Sequence, residues 1–329
     1  MINGNSVILQ MGKETVYGTT VTPDKQIKIS SESFKPEYNK IDEGLATGGR
    51  GEGLVATMGK KASGGFSTLM RPDMGYLLRA VLGVVNSEAG ADEGYKHTFT
   101  AIGNGANDHL PSYTILVDRK VECSKYSAKC DSLSLSASAG DYLKVDPSFV
   151  CFDEVDGASK NASAVVSALK AFKFAQAKAY TGSYDSETGT FTGNAFADVT
   201  SINLNISNNL DADTQTTDTG INYKEPEVGV RSITADLEML YAAGSESIRK
   251  SLFKTDATFG LKIEFVSDEM IDEEVPYKLT IIIPCCQMPD AGANMSGLDT
   301  LTQSVSVRAV DNLSDELIIV ELYNGDESY

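Results

Sequence analysis

Few residues of this chain have types and spacings suited to chemistry, and each candidate pattern is incomplete. The run GGRGEGLVATMGKK (48–61) resembles a phosphate-binding loop, which holds phosphate oxygens on backbone N–H groups. Five residues separate Gly53 from Gly59 where that loop has four, and Lys61 stands where it needs Ser or Thr. The run therefore favours a mobile or partner-ordered loop over a nucleotide site.

Metal and nucleophile chemistry has no better support. The two histidines, His97 and His109, show no HxH or HxxxH spacing, and the acidic run DADTQTTD (211–218) lacks the glycine and glutamate of a calcium loop. The five cysteines are an odd number without a CxxC motif, which predicts reduced thiols. No GxSxG motif occurs. We predict no catalytic, cofactor-binding or metal-binding residue, and no enzyme activity.

Composition narrows the function classes further. The 329 residues carry a formal net charge of -18, which argues against tight binding of nucleic acid through Lys and Arg. It suits a surface that nucleic acid passes without sticking. The N-terminal residues have no basic segment followed by an apolar one, and no run of 18 apolar residues occurs, so we expect neither signal peptide nor transmembrane helix.

Alternating polar and apolar residues predict a mainly β protein. SLSLSAS (132–138), TSINLNISNN (200–209) and VRSITADLEML (230–240) each have one small polar face, which is typical of a sheet with one side in water. Helices are predicted at 72–82, where proline lies in the first turn and Gly83 follows the end, and at 245–253. Residues 162–172 fit a helix or a strand.

The predicted elements follow the same order twice: strand, long loop, strand, helix, four strands. The closing segments SLSLSASAGDYLKVDPSFVCF (132–152) and SVSVRAVDNLSDELIIVELY (304–323) also look alike. We interpret this as a tandem duplication, with chance similarity of two β domains as the alternative. The expected organisation is an N-terminal arm (1–24), a first β domain (25–158), a connector (159–198) and a second β domain (199–329).

Several phrases of the sequence resemble tail tube (major tail) proteins of long-tailed bacteriophages and prophages, in the order of that family. They are GKETVYGTTVTP (12–23), HTFT (97–100), LPSYTILVD (110–118), CDSLSLSASAG (130–140), ISNNLD (206–211) and SGLDTLTQSVSVRAVDN (296–312). The resemblance spans nearly the whole chain, although no single phrase is specific.

This resemblance implies a structural virion protein of tail-tube-type β-sandwich or β-barrel domains, made in the bacterial host cytoplasm. It implies rings that stack into a tube, contacts with the tape measure, tip and terminator proteins, and passage of double-stranded DNA without specific binding, membrane or cofactor. With two domains per chain we expect a trimeric ring, and with one large sandwich a hexamer. A surface-layer-like secreted β protein is the alternative, and a carbohydrate-active β protein is a weaker one because tryptophan is absent.

Within this interpretation three groups of residues are candidate sites. The lumen is expected to be lined by Ser30, Glu32, Asn203, Asn205, Ser207, Ser232, Thr234, Asp236 and Glu238. Contacts between rings are expected from the loops at 35–60 and 210–227, through Gly44, Gly48, Gly49, Arg50, Gly51, Glu52, Gly53, Asp213, Thr216 and Thr217. The strand-prone polar arm is expected to lie on a neighbouring subunit through Thr15, Val16, Tyr17, Gly18 and Thr19.

Overall fold

The computed structural model describes residues 3–44, 53–90, 94–103, 105, 108–196, 198–271, 275–294 and 301–329. Its strands are β1 (Ile8–Lys13), β2 (Lys25–Ile27), β3 (Ile29–Glu32), β4 (Lys35–Asp42), β5 (Val55–Leu69), β6 (Gly83–Ala89), β7 (Tyr95–Ala101), β8 (Tyr113–Asp118), β9 (Cys123–Ser138), β10 (Lys144–Val155), β11 (Val165–Val166), β12 (Ala177–Asp185), β13 (Thr190–Ala195), β14 (Val199–Ser207), β15 (Ser232–Leu240), β16 (Phe259–Met270), β17 (Pro276–Asn294), β18 (Thr302–Ala309) and β19 (Ile319–Asn324). The prediction of a mainly β protein with few short helices is confirmed.

Two short α-helices lie where the sequence predicts them. Helix α1 (Gly75–Leu82) buries its apolar side and ends at Gly83, whose φ of 96° suits glycine. Helix α2 (Ala243–Ile248) continues into a π-helical turn (Arg249–Phe253). Single 3-10 turns cover Gly4–Ser6 and Phe174–Gln176. The helical alternative for residues 162–172 is wrong, because this segment is extended and contains β11.

Eight strand positions form one continuous antiparallel sheet, here called the polar-faced sheet. Their order is β3/β4, β5, β10, β9, β14, β15, β18 and β17, with β3 and β4 sharing the first position beside β5. Alternate side chains of these strands are buried, as Ile202, Leu204 and Ile206 of β14 illustrate. The period of two therefore places apolar residues on one face and polar residues on the other.

The remaining strands cover the apolar face. β6, β7, β19, β17, β16, β12 and β13 are hydrogen-bonded in that order, and β8 joins β1 to β9. The long strands β9 and β17 belong to both groups, since the first part of β17 pairs with β16 and β19 and its last part pairs with β18. Buried side chains from both halves of the chain form one apolar core, and α1 packs on β7 and β9.

Within the polar-faced sheet, the two halves of the chain have the same strand order. β3/β4, β5, β10 and β9 occupy the positions that β14, β15, β18 and β17 occupy in the second half. Each half has an extra residue at the start of its first strand, Ser30 opposite β5 and Thr200 opposite β15. Each half also has an extra residue in the strand at its fourth position in the sheet, near Asp131 of β9 and near Pro289 of β17.

Hydrogen bonds repeat at these matching positions. The Ser30 hydroxyl donates to the Ser67 carbonyl at 3.2 Å, and the Thr200 hydroxyl donates to the Glu238 carbonyl at 3.1 Å. Backbone bonds from Met70 to Leu143 and from Tyr241 to Leu301 form a second matching pair, at 2.8 and 2.9 Å.

The matching strands correct the sequence comparison of the two closing segments. SLSLSAS belongs to β9, whose position corresponds to β17, whereas SVSV belongs to β18, whose position corresponds to β10. Residues 129–136 correspond one by one to residues 287–294, and residues 143–149 correspond to residues 301–307. The sequence comparison was one strand out of phase because alternating serine and apolar residues look alike in every strand of such a sheet.

The start of the predicted N-terminal arm lies inside its own subunit. β1 pairs with β2 on one side and β8 on the other, and Leu9 and Met11 are fully buried. β12 and β13 of the predicted connector have the corresponding arrangement, because β12 lies between β13 and β16. Arm and connector thus supply comparable strands to the two halves.

We expect Asn208→Ala to lower the free energy of unfolding by about 2–3 kcal/mol, because it leaves buried polar groups unpaired. The buried amide of Asn208 donates to the carbonyls of Val81 and Cys130 and accepts from the Arg231 guanidinium. Urea denaturation measures the change, with Asn203→Ala on the exposed face as control, for which we expect less than about 0.5 kcal/mol. Equal stability of the two variants would contradict this role.

Candidate functional site

The polar-faced sheet brings together most of the predicted lumen residues. Asn203, Asn205 and Ser207 of β14 lie directly opposite Asp236, Thr234 and Ser232 of β15. All six, with Glu238, point away from the apolar core. These residues therefore share one surface, as the alternation predicts.

Glu32 does not belong to this surface, which corrects its assignment. The extra residue Ser30 shifts the alternation by one, so Ser31 pairs with the polar-face residue Ser67, whereas Glu32 pairs with the buried Phe66. The Glu32 carboxylate accepts two hydrogen bonds from the Arg119 guanidinium, at 2.9 and 2.8 Å. Ser30 remains exposed at the bulge.

The polar side chains of this face bond to one another across strands. The Ser306 hydroxyl donates to Asp236 at 2.6 Å, and the Ser134 hydroxyl donates to the Asn203 amide oxygen at 3.2 Å. The sequence interpretation missed the members supplied by the other strands, although Ser132, Ser134, Ser136, Ser304 and Ser306 show the same alternation. It also missed the charged members Lys144, Asp146, Asp290 and Arg308, which only the register places on this face.

The first predicted loop is a two-stranded ribbon that leaves the body of the protein. Residues 38–44 and 54–58 are exposed on both sides of the β4–β5 pairing. Apolar side chains stand in water along it, with Ile41 at 49%, Val55 at 60% and Leu54 at 78% exposure. Gly44 and Gly53 mark the described ends of the ribbon, and Gly48, Gly49, Arg50, Gly51 and Glu52 lie outside the described residues.

The second predicted loop folds back onto its own chain, whereas the first leaves the body of the protein, and its expected contact with another ring stays a prediction. Asp213 forms a 2.5 Å ion pair with Lys61, and Glu225 forms one of 2.6 Å with the buried Lys129. A Cβ on Gly59 would lie 2.5 Å from the Tyr223 hydroxyl, so glycine lets this loop approach the ribbon base. Thr216 and Thr217 remain exposed.

The arm after β1 is attached to its own chain through a buried carboxylate. Glu14 accepts hydrogen bonds from the hydroxyls of Thr114 and Ser127, at 2.7 and 2.6 Å. These hydroxyls accept in turn from the backbone N–H groups of Val21 and Gly18. Burial raises the pKa of Glu14 above its ordinary value, and the hydroxyl bonds oppose this rise.

The predicted contact residues of the arm follow this attachment. Tyr17 packs edge-on against Phe152 of the same chain, with ring centroids 5.7 Å apart, and the backbone N–H of Gly18 donates to the Ser127 hydroxyl. Both residues therefore contact their own subunit, and the expected contact of this arm with a neighbouring subunit stays a prediction. Thr15, Val16 and Thr19 are exposed.

Reactive chemistry gains no support from the described part of the chain. Burial raises the pKa of all five cysteine thiols, which keeps them protonated and weakly nucleophilic. His97 is buried between Ser87 and Asn324, and desolvation lowers its pKa. Among the described residues no group of three His, Cys, Asp or Glu side chains could hold a metal. No described helix is long and apolar enough to span a membrane.

The comparison with known protein families agrees with these observations. The model of the family described as "Phage tail tube protein" matches residues 4–309. No curated protein matches. A matching solved structure is the SPP1 tail tube, determined by solid-state NMR and cryo EM; it is 10% identical, the match covers 47% of this chain and 80% of that chain, and the TM-score is 0.33. The family match favours a structural virion protein over an enzyme and over the surface-layer-like alternative. Because that match covers nearly the whole sequence, this chain belongs to the phage tail tube protein family.

Proposed function

We propose that three copies of this chain form one ring of the tail tube, each copy supplying two tube units. The observation that carries the proposal is the repeated strand order of the polar-faced sheet, with its matching bulges and hydrogen bonds. The repetition supports a tandem duplication with units that begin at β1 and β12. A trimer then has pseudo-sixfold symmetry.

The width of the resulting barrel favours three chains over six. Eight sheet positions from each of three chains make twenty-four. With strands about 4.8 Å apart and tilted by about 40°, twenty-four strands close at a backbone diameter of about 48 Å. Six chains would double this diameter and leave a lumen far wider than a DNA duplex needs.

In this arrangement the polar face lines the lumen and conducts DNA during genome ejection. The face consists mainly of serine, threonine and asparagine, and the hydroxyls of Ser63, Ser67, Ser134 and Ser306 donate to neighbouring side chains. Five carboxylates of this face, from Glu37, Asp146, Asp236, Glu238 and Asp290, lie among the four cations of Lys35, Lys61, Lys144 and Arg308. The face therefore has no concentrated positive charge that would hold phosphate groups. DNA would therefore slide without specific binding.

The exposed ribbon is the proposed contact between stacked rings. A free two-stranded ribbon is only marginally stable in water, and its apolar side chains gain by burial against another subunit. Assembly in the host cytoplasm, and contacts with the tape measure, tip and terminator proteins at the ends of the tube, complete the proposed role.

We expect Asp236→Lys/Glu238→Lys in phage particles to slow DNA release, more at low salt than at high salt, because the new cations attract phosphate. The rate of triggered DNA release at two salt concentrations measures this. The matched control is Glu88→Lys/Glu187→Lys, which makes the same charge change at exposed positions outside the polar face. Identical release from both variants would exclude the polar face from the lumen.

We expect Ile41→Ser/Leu54→Ser/Val55→Ser to leave a folded subunit that forms rings but not long tubes. The three side chains are exposed, so the core loses little, whereas the contact between rings loses apolar area. Circular dichroism checks folding and negative-stain electron microscopy measures tube length. The control Val84→Ser/Val165→Ser removes exposed valines elsewhere, and tubes of normal length from the ribbon variant would refute the ribbon's role.

We expect a cryo-EM average viewed down the tube axis to show three alternating pairs of lobes, because β6 and β7 of the first half have no counterpart among the described strands of the second half. Mass measurement of isolated rings provides the independent count of chains. Six identical outer lobes, with six chains per ring, would contradict both the trimer and the duplication argument.

A further inference from the structure

The junction between the two halves of one chain provides a template for the junction between chains. Seven residue pairs join β9 to β14, from Ser132–Ser207 to Ser138–Ser201, and they make the polar-faced sheet continuous. In this sheet β14 holds the first position of the second half, and β9 holds the last position of the first half. At the outer ends of the sheet, β3/β4 holds the position that corresponds to β14, and β17 holds the position that corresponds to β9.

These outer positions have edges without a partner strand in the described part of the chain. β3 and β4 pair with β5 alone, and β17 beyond Gln287 pairs with β18 alone. Residues 287–294 of β17 correspond to residues 129–136 of β9, and residues 31–37 of β3/β4 correspond to residues 201–207 of β14. In the template these two segments pair with each other, whereas the outer edges have no such partner in the described part of the chain. A sheet edge of this kind accepts a strand from another molecule.

We propose that β17 of one copy pairs antiparallel with β3/β4 of the next copy, in the register of the β9–β14 junction. This inference rests on the proposed ring and names its contact. The corresponding positions place Asp290 opposite Glu37, Gly292 opposite Lys35, and Asn294 opposite Ser33 of the next copy. Lys35, facing a glycine, has room to reach Asp290 diagonally and so offsets the Glu37–Asp290 repulsion.

The template also explains the proline in β17. Pro289 occupies the position of the extra residue Asp131 in β9, whose carbonyl accepts from the backbone of Asn208 at 2.7 Å. Pro289 has the carbonyl that this bond needs, so its missing N–H costs no hydrogen bond of the template. Pro36, on the opposite edge, has no N–H to donate, so the contact between copies has one hydrogen bond fewer than its template.

An ion pair covers the β3/β4 edge in the free subunit. The backbone N–H of Phe34 donates to Glu32 at 3.1 Å, and the Phe34 carbonyl accepts from Arg119 at 2.7 Å. In the template the corresponding residue, Leu204, lies directly opposite Leu135 of β9. The incoming β17 must therefore displace the Glu32–Arg119 pair from Phe34. Until it does, this ion pair blocks the edge against pairing with another strand.

Cysteine cross-linking tests the register. In a background of Cys123→Ser/Cys285→Ser, we expect Glu37→Cys/Asp290→Cys to give covalent trimers on mild oxidation of tubes and no cross-link in dilute subunits. Directly opposite Cα atoms in an antiparallel pair lie about 4.5–5.5 Å apart, within reach of a disulfide. The positive control, Ser132→Cys/Ser207→Cys, has the template geometry and should close within a single chain in both samples.

The matched negative control is Ser33→Cys/Asp290→Cys, whose thiols lie four residues, or about 13 Å, apart in the proposed register. Rings seen by electron microscopy without Glu37–Asp290 cross-links, or with equal cross-linking of the negative control, would overturn the register and leave the ring intact. Absence of rings in the parent protein would instead refute the proposed function, and the contact with it.

A second variant tests the displacement of the Glu32–Arg119 ion pair. We expect Arg119→Gln to lower the protein concentration at which tubes form, as light scattering measures, because Phe34 is freed. A purely structural ion pair predicts the opposite, since its loss would weaken the subunit. Unchanged or weaker assembly by a variant with normal circular dichroism would contradict the edge assignment.

Discussion

The antiparallel junction between β9 and β14 is the contact on which the architecture depends. It sets both halves of the chain in one register, so that apolar side chains from each half enter a single core. A shift of one residue would turn every side chain of a strand to the opposite face. Leu133–Ile206 and Leu135–Leu204 on the buried side fix the register, and the polar surface on the other side follows from it.

Pairing the two halves through β9 and β14 leaves one strand edge without a partner at each end of the sheet, in the described part of the chain. Open edges pair with whatever strand they meet, and a structural protein made in many copies must control this pairing. Here one edge carries Pro36 and the Glu32–Arg119 ion pair, and the other carries Pro289. These features are compatible with a subunit that stays separate until a correctly aligned strand arrives.

Sequence alternation alone predicts the faces of β14 and β15, because both strands are regular over the residues concerned. It fails at Glu32, because the bulge at Ser30 reverses the alternation and a bulge has no clear signature in a serine-rich strand. It also underestimates β1, whose apolar residues are few and precede a polar arm. The register between distant strands, which brings Asp146, Asp290 and Arg308 onto the polar face, depends on tertiary packing.

The difference between the two kinds of junction has a consequence for assembly. Within the chain, leucine and isoleucine side chains face each other, whereas the proposed contact between copies places Ala291 opposite Pro36 and has one hydrogen bond fewer. The contact between copies is therefore the weaker of the two. In an open chain of subunits each end has one such contact, but closure into a ring gives every copy two. Weak individual contacts then permit incorrect pairs to separate, while the closed ring is held by all of its contacts together.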